Sequence, residues 1–201
     1  MPLTVEQVRA LADAMPARDR AMVLTQSGLG LRVGDLLALR VRDVDFLRRL
    51  VRIETQFAGR SSVRTDPKTS CSKRTLPLPG MVADALATHL AASPAGDDGS
   101  VFVTARALPF TCDGYGSISV TRCARRVCRR GPPATRCHYA SLLLPAGEGP
   151  VAVAARLGHD NANVVFSTYG HLMPDQEDRT RAAVDNAWCA PNVPRDDAKG
   201  L

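Results

Sequence analysis

The stretch RLGHDNANVVFSTYGHLMPD, residues 156–175, sets His159 ten residues before Tyr169, with His171 two residues beyond it. Leu157-Gly158 reads as a helix end, where a following histidine can simply cap carbonyls. NANVVFSTY reads as the next short helix, closing on the tyrosine. Two readings of Tyr169 are open from here: a nucleophile, or an aromatic packed at a helix end. A phenol ionises only near pH ~10, so the first reading needs partners elsewhere in the chain.

Composition bounds those partners. At 201 residues the chain has room for one domain with a real core, and its 45% hydrophobic and 23% charged residues suit a soluble globular protein. No apolar run approaches the ~20 residues of a membrane span. The opening MPLTVEQVRALADAM has neither the basic nor the apolar region of a signal peptide, so a cytoplasmic location is expected. Net charge is +6, and all of the 26 basic residues except Lys68, Lys73 and Lys199 are arginine. The guanidinium fork suits phosphate, so the balance fits a polyanionic partner; the codon bias of a GC-rich genome would produce the same balance. The six cysteines form no CxxC pair and no zinc-finger spacing. Free thiols are expected, with no metal and no cofactor.

Along the chain, Thr4 and Gln7 make a capping box, and Val8, Leu11, Ala12 and Met15 follow at helical spacing. A second helix is expected from Ala17 to Gln26, and RVGDLLALR gives a short third. VDFLRRLVRIET reads as two strands around a turn at Leu47–Arg49, and RTLPLP as a third whose prolines place it at a sheet edge. RSSVRTDPKTSCSK between them reads as irregular. Residues 80–92 are helical, and 93–99 are a loop. In ISVTRCARRVCRR (118–130), Arg122, Arg125, Arg126, Arg129 and Arg130 share one helical face. That face is a set of phosphate contacts or a solvated charged surface. HYASLLL, PVAVAARLG and DQEDRTRAAVDNAW complete the expected helices, and the tail 189–201 has no periodicity and is expected to be disordered.

Cleaving a phosphodiester with a tyrosine requires arginines for the charge that builds on the phosphoryl oxygens and a general acid for the leaving oxygen. GLGLRVGDLLALRVRDVDF resembles the first arginine box of the tyrosine recombinase (phage integrase) family. PKTSCSKRTLPLP is similar to its β-hairpin lysine segment, and ASLLLPAGEGPVAVAARLGHDNANVVFSTYGHLMPD to its C-terminal stretch. The resemblance covers residues 4 to 188 with motif order kept. It implies an α+β, mainly α-helical catalytic-domain fold with a small three-stranded antiparallel sheet. It implies Arg32, Lys68, Arg136, His159 and Tyr169 as catalytic, with Asp35 orienting Arg32. Lys73 competes with Lys68 for the lysine role; His138 and His171 read as structural or solvent-facing. The partner implied is double-stranded DNA, bound as a homotetramer, with no small-molecule substrate. The last helix, through Ala183, Val184 and Trp188, docks on a neighbouring protomer or packs on its own domain.

Two departures qualify the match. The family's HxxR histidine falls at Pro133, in a segment, RRGPPATRCHYASLLL, that reads as shortened by about five residues. On that ground the alternative is a catalytically impaired, DNA-binding remnant. Secondly, the resemblance places residues 1–188 in the catalytic domain, with the family's N-terminal DNA-clamping domain expected to be absent.

Overall fold

A computed structural model describes residues 2–58, 63–67, 72–115, 133–173 and 177–189. Helix α1 (Val5–Asp13) starts where expected: the Thr4 hydroxyl accepts from the Gln7 amide, and the Gln7 side chain answers to the Thr4 amide. Its Val8, Leu11 and Ala12 are buried. Helix α2 (Ala17–Leu29) runs three residues past its expected end and closes on Gly30, whose φ is 63°. A side chain at Gly30 would meet the Tyr139 ring at 2.5 Å, so both conformation and space require glycine. Helix α3 (Val33–Ala38) follows, with the Asp35 carboxylate accepting the Arg32 amide across its first turn.

Strands β1 (Val44–Asp45), β2 (Leu50–Ile53) and β5 (Arg74–Pro77) form an antiparallel sheet in the order β1-β2-β5. Val51 pairs with Val44 on one side and with Leu76 on the other. The proline-bearing strand is the edge, where a missing amide costs no ladder bond. Strands β3 (Gln56–Phe57) and β4 (Arg64–Thr65) pair separately, so the segment read as irregular is in part a short hairpin. What fixes it is tertiary. Arg64 donates to the Ala38 carbonyl (3.0 Å), to Asp98 and to Ser100, and lies 5.2 Å above the Phe57 ring. Such long-range contacts leave no local pattern to read.

Helix α4 (Gly80–Ala92) packs on α2, and α5 (Cys112–Tyr115) near α3. One apolar core joins α1 to α4, the three-stranded sheet and Val101–Phe102. Helices α6 (Pro133–Leu143), α7 (Pro150–Leu157) and α8 (Asn163–Tyr169) build a second core from Tyr139, Ala140, Leu144, Val153, Leu157 and Val165. Tyr139 and Leu157 close on Gly30, so the two cores meet at the α2–α3 junction. Helix α9 (Glu177–Cys189) ends the described chain. No helix among the described residues is long and apolar enough to cross a membrane. Lys68, the Arg122–Arg130 face and residues 190–201 of the tail lie outside the described residues.

Candidate active site

The end of α7 organises everything around it. Gly158 takes the left-handed cap (φ 68°), which lets its amide and that of His159 bond back to Ala155 and Ala154. The next carbonyls point outward with no helical partner and carry the negative end of the helix dipole. Arginines from three different elements take them. Arg74 Nε donates to the Arg156 carbonyl (2.7 Å), Arg136 Nη2 to Leu157 (2.7 Å), and Arg32 Nη2 to Gly158 (2.5 Å).

One buried carboxylate faces this charge. Asp35 accepts the Arg32 amide at 3.4 Å and Arg74 Nη2 at 3.1 Å. Its proximity to Arg32 is a backbone contact; its ion pair is with Arg74, and both of those side chains are buried. Arg32 also reaches the Ser72 hydroxyl, and Arg74 the Ser72 carbonyl.

Arg136 sits one turn into α6, whose first residue is Pro133. Proline suits a first helical turn, which has no amide bond to lose. The register therefore carries Arg136 inward to within 3.1 Å of His159 Nε2. Its Nη1 is buried and finds no partner among the described residues. Burial, then Arg32 and Arg74, push its pKa down to about 10, which leaves it charged near neutrality. Burial and the same three guanidinium groups hold His159 below the usual histidine range, so its ring is neutral at pH 7. A neutral ring can take one hydrogen bond and give another.

Tyr169 ends α8 with its ring buried and its hydroxyl donating to Cys137 Sγ at 3.2 Å. Burial and that sulfur raise its pKa; the Arg136 charge acts in the opposite direction. A cleft of about 530 Å³ opens at Arg32 and His159, lined also by Gln56, Ser72, Gly158 and Asn161.

Of the residues singled out from sequence, Arg32, Asp35, Arg136 and His159 meet at this turn, and Tyr169 lies within electrostatic reach of Arg136. His138 faces elsewhere, buried on the Leu3 carbonyl at 2.7 Å, and does not take the place of the histidine absent at Pro133. His171 is exposed. Lys73 pairs with Asp66 at the surface. Sequence reasoning missed Arg74 and the Cys137 contact to Tyr169. For Arg74 a signal existed: strand alternation puts it on the same face as buried Leu76. Among the described residues no His, Cys, Asp and Glu gather as a metal site.

The chain resembles a tyrosine recombinase XerC-like protein of Caldanaerobacter subterraneus subsp. tengcongensis, 26% identical over 86% of this chain and 50% of that one. It resembles the prophage integrase IntR of Escherichia coli K12 equally, at 26% over 92% and 50%. The chain thus spans about half the length of these curated relatives. In fold it matches the Tn1549 transposon integrase solved with circular intermediate DNA (TM-score 0.76, 22% identity, 93% of this chain and 67% of that one). It also matches the catalytic domain of bacteriophage HP1 integrase (TM-score 0.62, 16% identity, 96% and 98%). The profile of the phage integrase family matches residues 2–176, and the chain belongs to that family.

Proposed function

We propose that the chain breaks and rejoins double-stranded DNA at specific sites, with Tyr169 as the nucleophile and a 3′-phosphotyrosine as the intermediate. The observation that carries this reading is the excess of positive charge at the α7 turn. Arg32, Arg74 and Arg136 surround one carboxylate, Asp35, and Arg136 keeps a buried donor unspent. A phosphodiester entering the adjacent cleft supplies the missing anion.

In this reading Arg32 and Arg136 stabilise charge on the non-bridging oxygens, and His159 hydrogen-bonds one of them. The Tyr169 hydroxyl leaves Cys137 and turns to the phosphorus; as it forms the new P–O bond, its proton passes to solvent and the bond from phosphorus to the 5′-oxygen breaks. Lys68 supplies the proton to that oxygen. Resealing reverses these steps, and the phosphotyrosine conserves the bond energy, so no nucleotide cofactor is required. The named proteins it resembles, integrases and a recombinase, support the same chemistry. The finer reading is assembly as a tetramer on DNA, supported by the exposed Trp188 and Val184 of α9.

The test is a duplex nicked next to the crossover site, which traps the covalent adduct by losing the short 5′-hydroxyl strand. Wild-type protein forms the adduct and Tyr169→Phe forms none. DNA binding without any adduct from the wild type would instead favour an impaired remnant. Pro133 is the observation on that side, since it cannot supply the acid–base group of the HxxR position, a role worth about 10²–10⁴ in rate.

A further inference from the structure

The strand arginine Arg74 touches no reacting group in the chemistry just described, yet its guanidinium bonds to three separate residues beside the site. Its Nε holds the Arg156 carbonyl (2.7 Å), its Nη1 the Ser72 carbonyl (2.9 Å), and its Nη2 the Asp35 carboxylate (3.1 Å). It is buried, and each of its three nitrogens already has a protein partner. The same fork therefore ties β5, α3 and α7 together. Two residues beyond its carbonyl partner lies Gly158, which holds Arg32; one further lies His159. Asp35 makes its only ion pair among the described residues with Arg74.

We propose that Arg74 is a positioning residue for DNA cleavage: by locking the 156–158 turn and occupying Asp35, it holds Arg32 and His159 in their places at the phosphate and keeps the carboxylate off the Arg32 guanidinium. The role rests on the function proposed above. Lysine keeps the charge but gathers its donors on one nitrogen, so it does not span the three partners as the fork does. A misplacement of about 1 Å in catalytic groups costs about 10² in rate, with little change in affinity, because most phosphate contacts lie outside the reacting centre.

The experiment compares the wild type with Arg74→Lys and Arg74→Met, both checked for a cooperative unfolding transition. Adduct formation on the nicked duplex is measured at saturating DNA, beside the Kd for the same duplex, and His159 is titrated by NMR. His159 is faced by Arg136 from α6, Arg32 ahead of α3 and Arg74 from β5, with Asp160 beside it. Expected are a cleavage rate about 10²-fold lower in both variants, a Kd within about threefold of wild type, and a His159 titration moved to higher pH in Arg74→Met alone. Cleavage at the wild-type rate in Arg74→Lys overturns the proposal. So does an equal loss in rate and Kd, which marks a plain structural role, or a His159 titration unchanged in Arg74→Met. If the wild type itself forms no adduct, the function fails, while the titration still decides whether Arg74 governs His159.

Discussion

His159 shows how a residue's chemistry is set by its neighbours rather than by its type. It lies against Arg136 in a partly buried site, and burial together with three nearby guanidinium groups disfavours its cationic form. The sign for stability follows directly. Above the ordinary value of 6.5 the ring is neutral in folded and unfolded chains alike. As pH falls through that value the unfolded chain takes up the proton first, so the folded state loses stability towards acid. Denaturant unfolding at pH 7.5 and pH 5.5 checks this. The fall in stability is expected to shrink in His159→Gln, and an identical fall in the variant would reject the electrostatic account. Tyr169 is shifted the opposite way, towards keeping its proton, by burial and by Cys137. Both groups are therefore neutral near pH 7, beside arginines that remain charged.

Among the elements, the α2–Gly30–α3 junction bears the most consequence. Gly30 turns the chain with φ 63°, and its missing side chain is the space that the Tyr139 ring and Leu157 fill. Gly30→Ala combines a left-handed alanine with overpacking of two helices. The first costs about 1–2 kcal/mol and the second about 1–3 kcal/mol, so a loss of about 2–5 kcal/mol is expected in urea unfolding; a loss below about 0.5 kcal/mol would show that the cores do not meet there. The helices here were legible because their apolar spacing and caps are local: Thr4 with Gln7, and Leu157-Gly158; only the end of α2 was placed three residues short of its Gly30 cap. The β3–β4 hairpin and Arg74 were harder. Arg64 and Arg74 are positively charged residues in polar text, and what buries them are partners 34 to 82 positions away, at Asp98 and Arg156. Arg136 illustrates the reverse case. Pro133 breaks the family's motif, yet proline is compatible with the first turn of α6, and the helix still delivers the guanidinium to His159.

At the scale of the whole molecule, two cores share one seam, and the arginine cluster lies on it. Closing that seam draws groups separated by 126 residues, Arg32 and Gly158, into hydrogen-bond contact, which links folding of the site to folding of the domain. Helix α9 lies apart, with Trp188 85% exposed and Val184 53% exposed. Its packing on its own domain is thus not observed among the described residues, and docking on a neighbouring protomer remains the proposed use of that surface. As the only tryptophan, Trp188 reports on it directly. Its emission is expected to shift to the blue as protomers assemble on DNA, and Trp188→Ala to weaken assembly while a single protomer still binds. Emission unchanged at every concentration would contradict docking. The proposed cleavage requires that the phenol of Tyr169, and no other group, meets a DNA phosphorus held at the α7 turn. Digesting the trapped wild-type adduct and mapping the nucleotide-bearing peptide by mass spectrometry tests this most directly. A 3′-linked nucleotide on Tyr169 is the predicted result; a nucleotide on any other residue, or none on a protein that binds the nicked duplex, would contradict it.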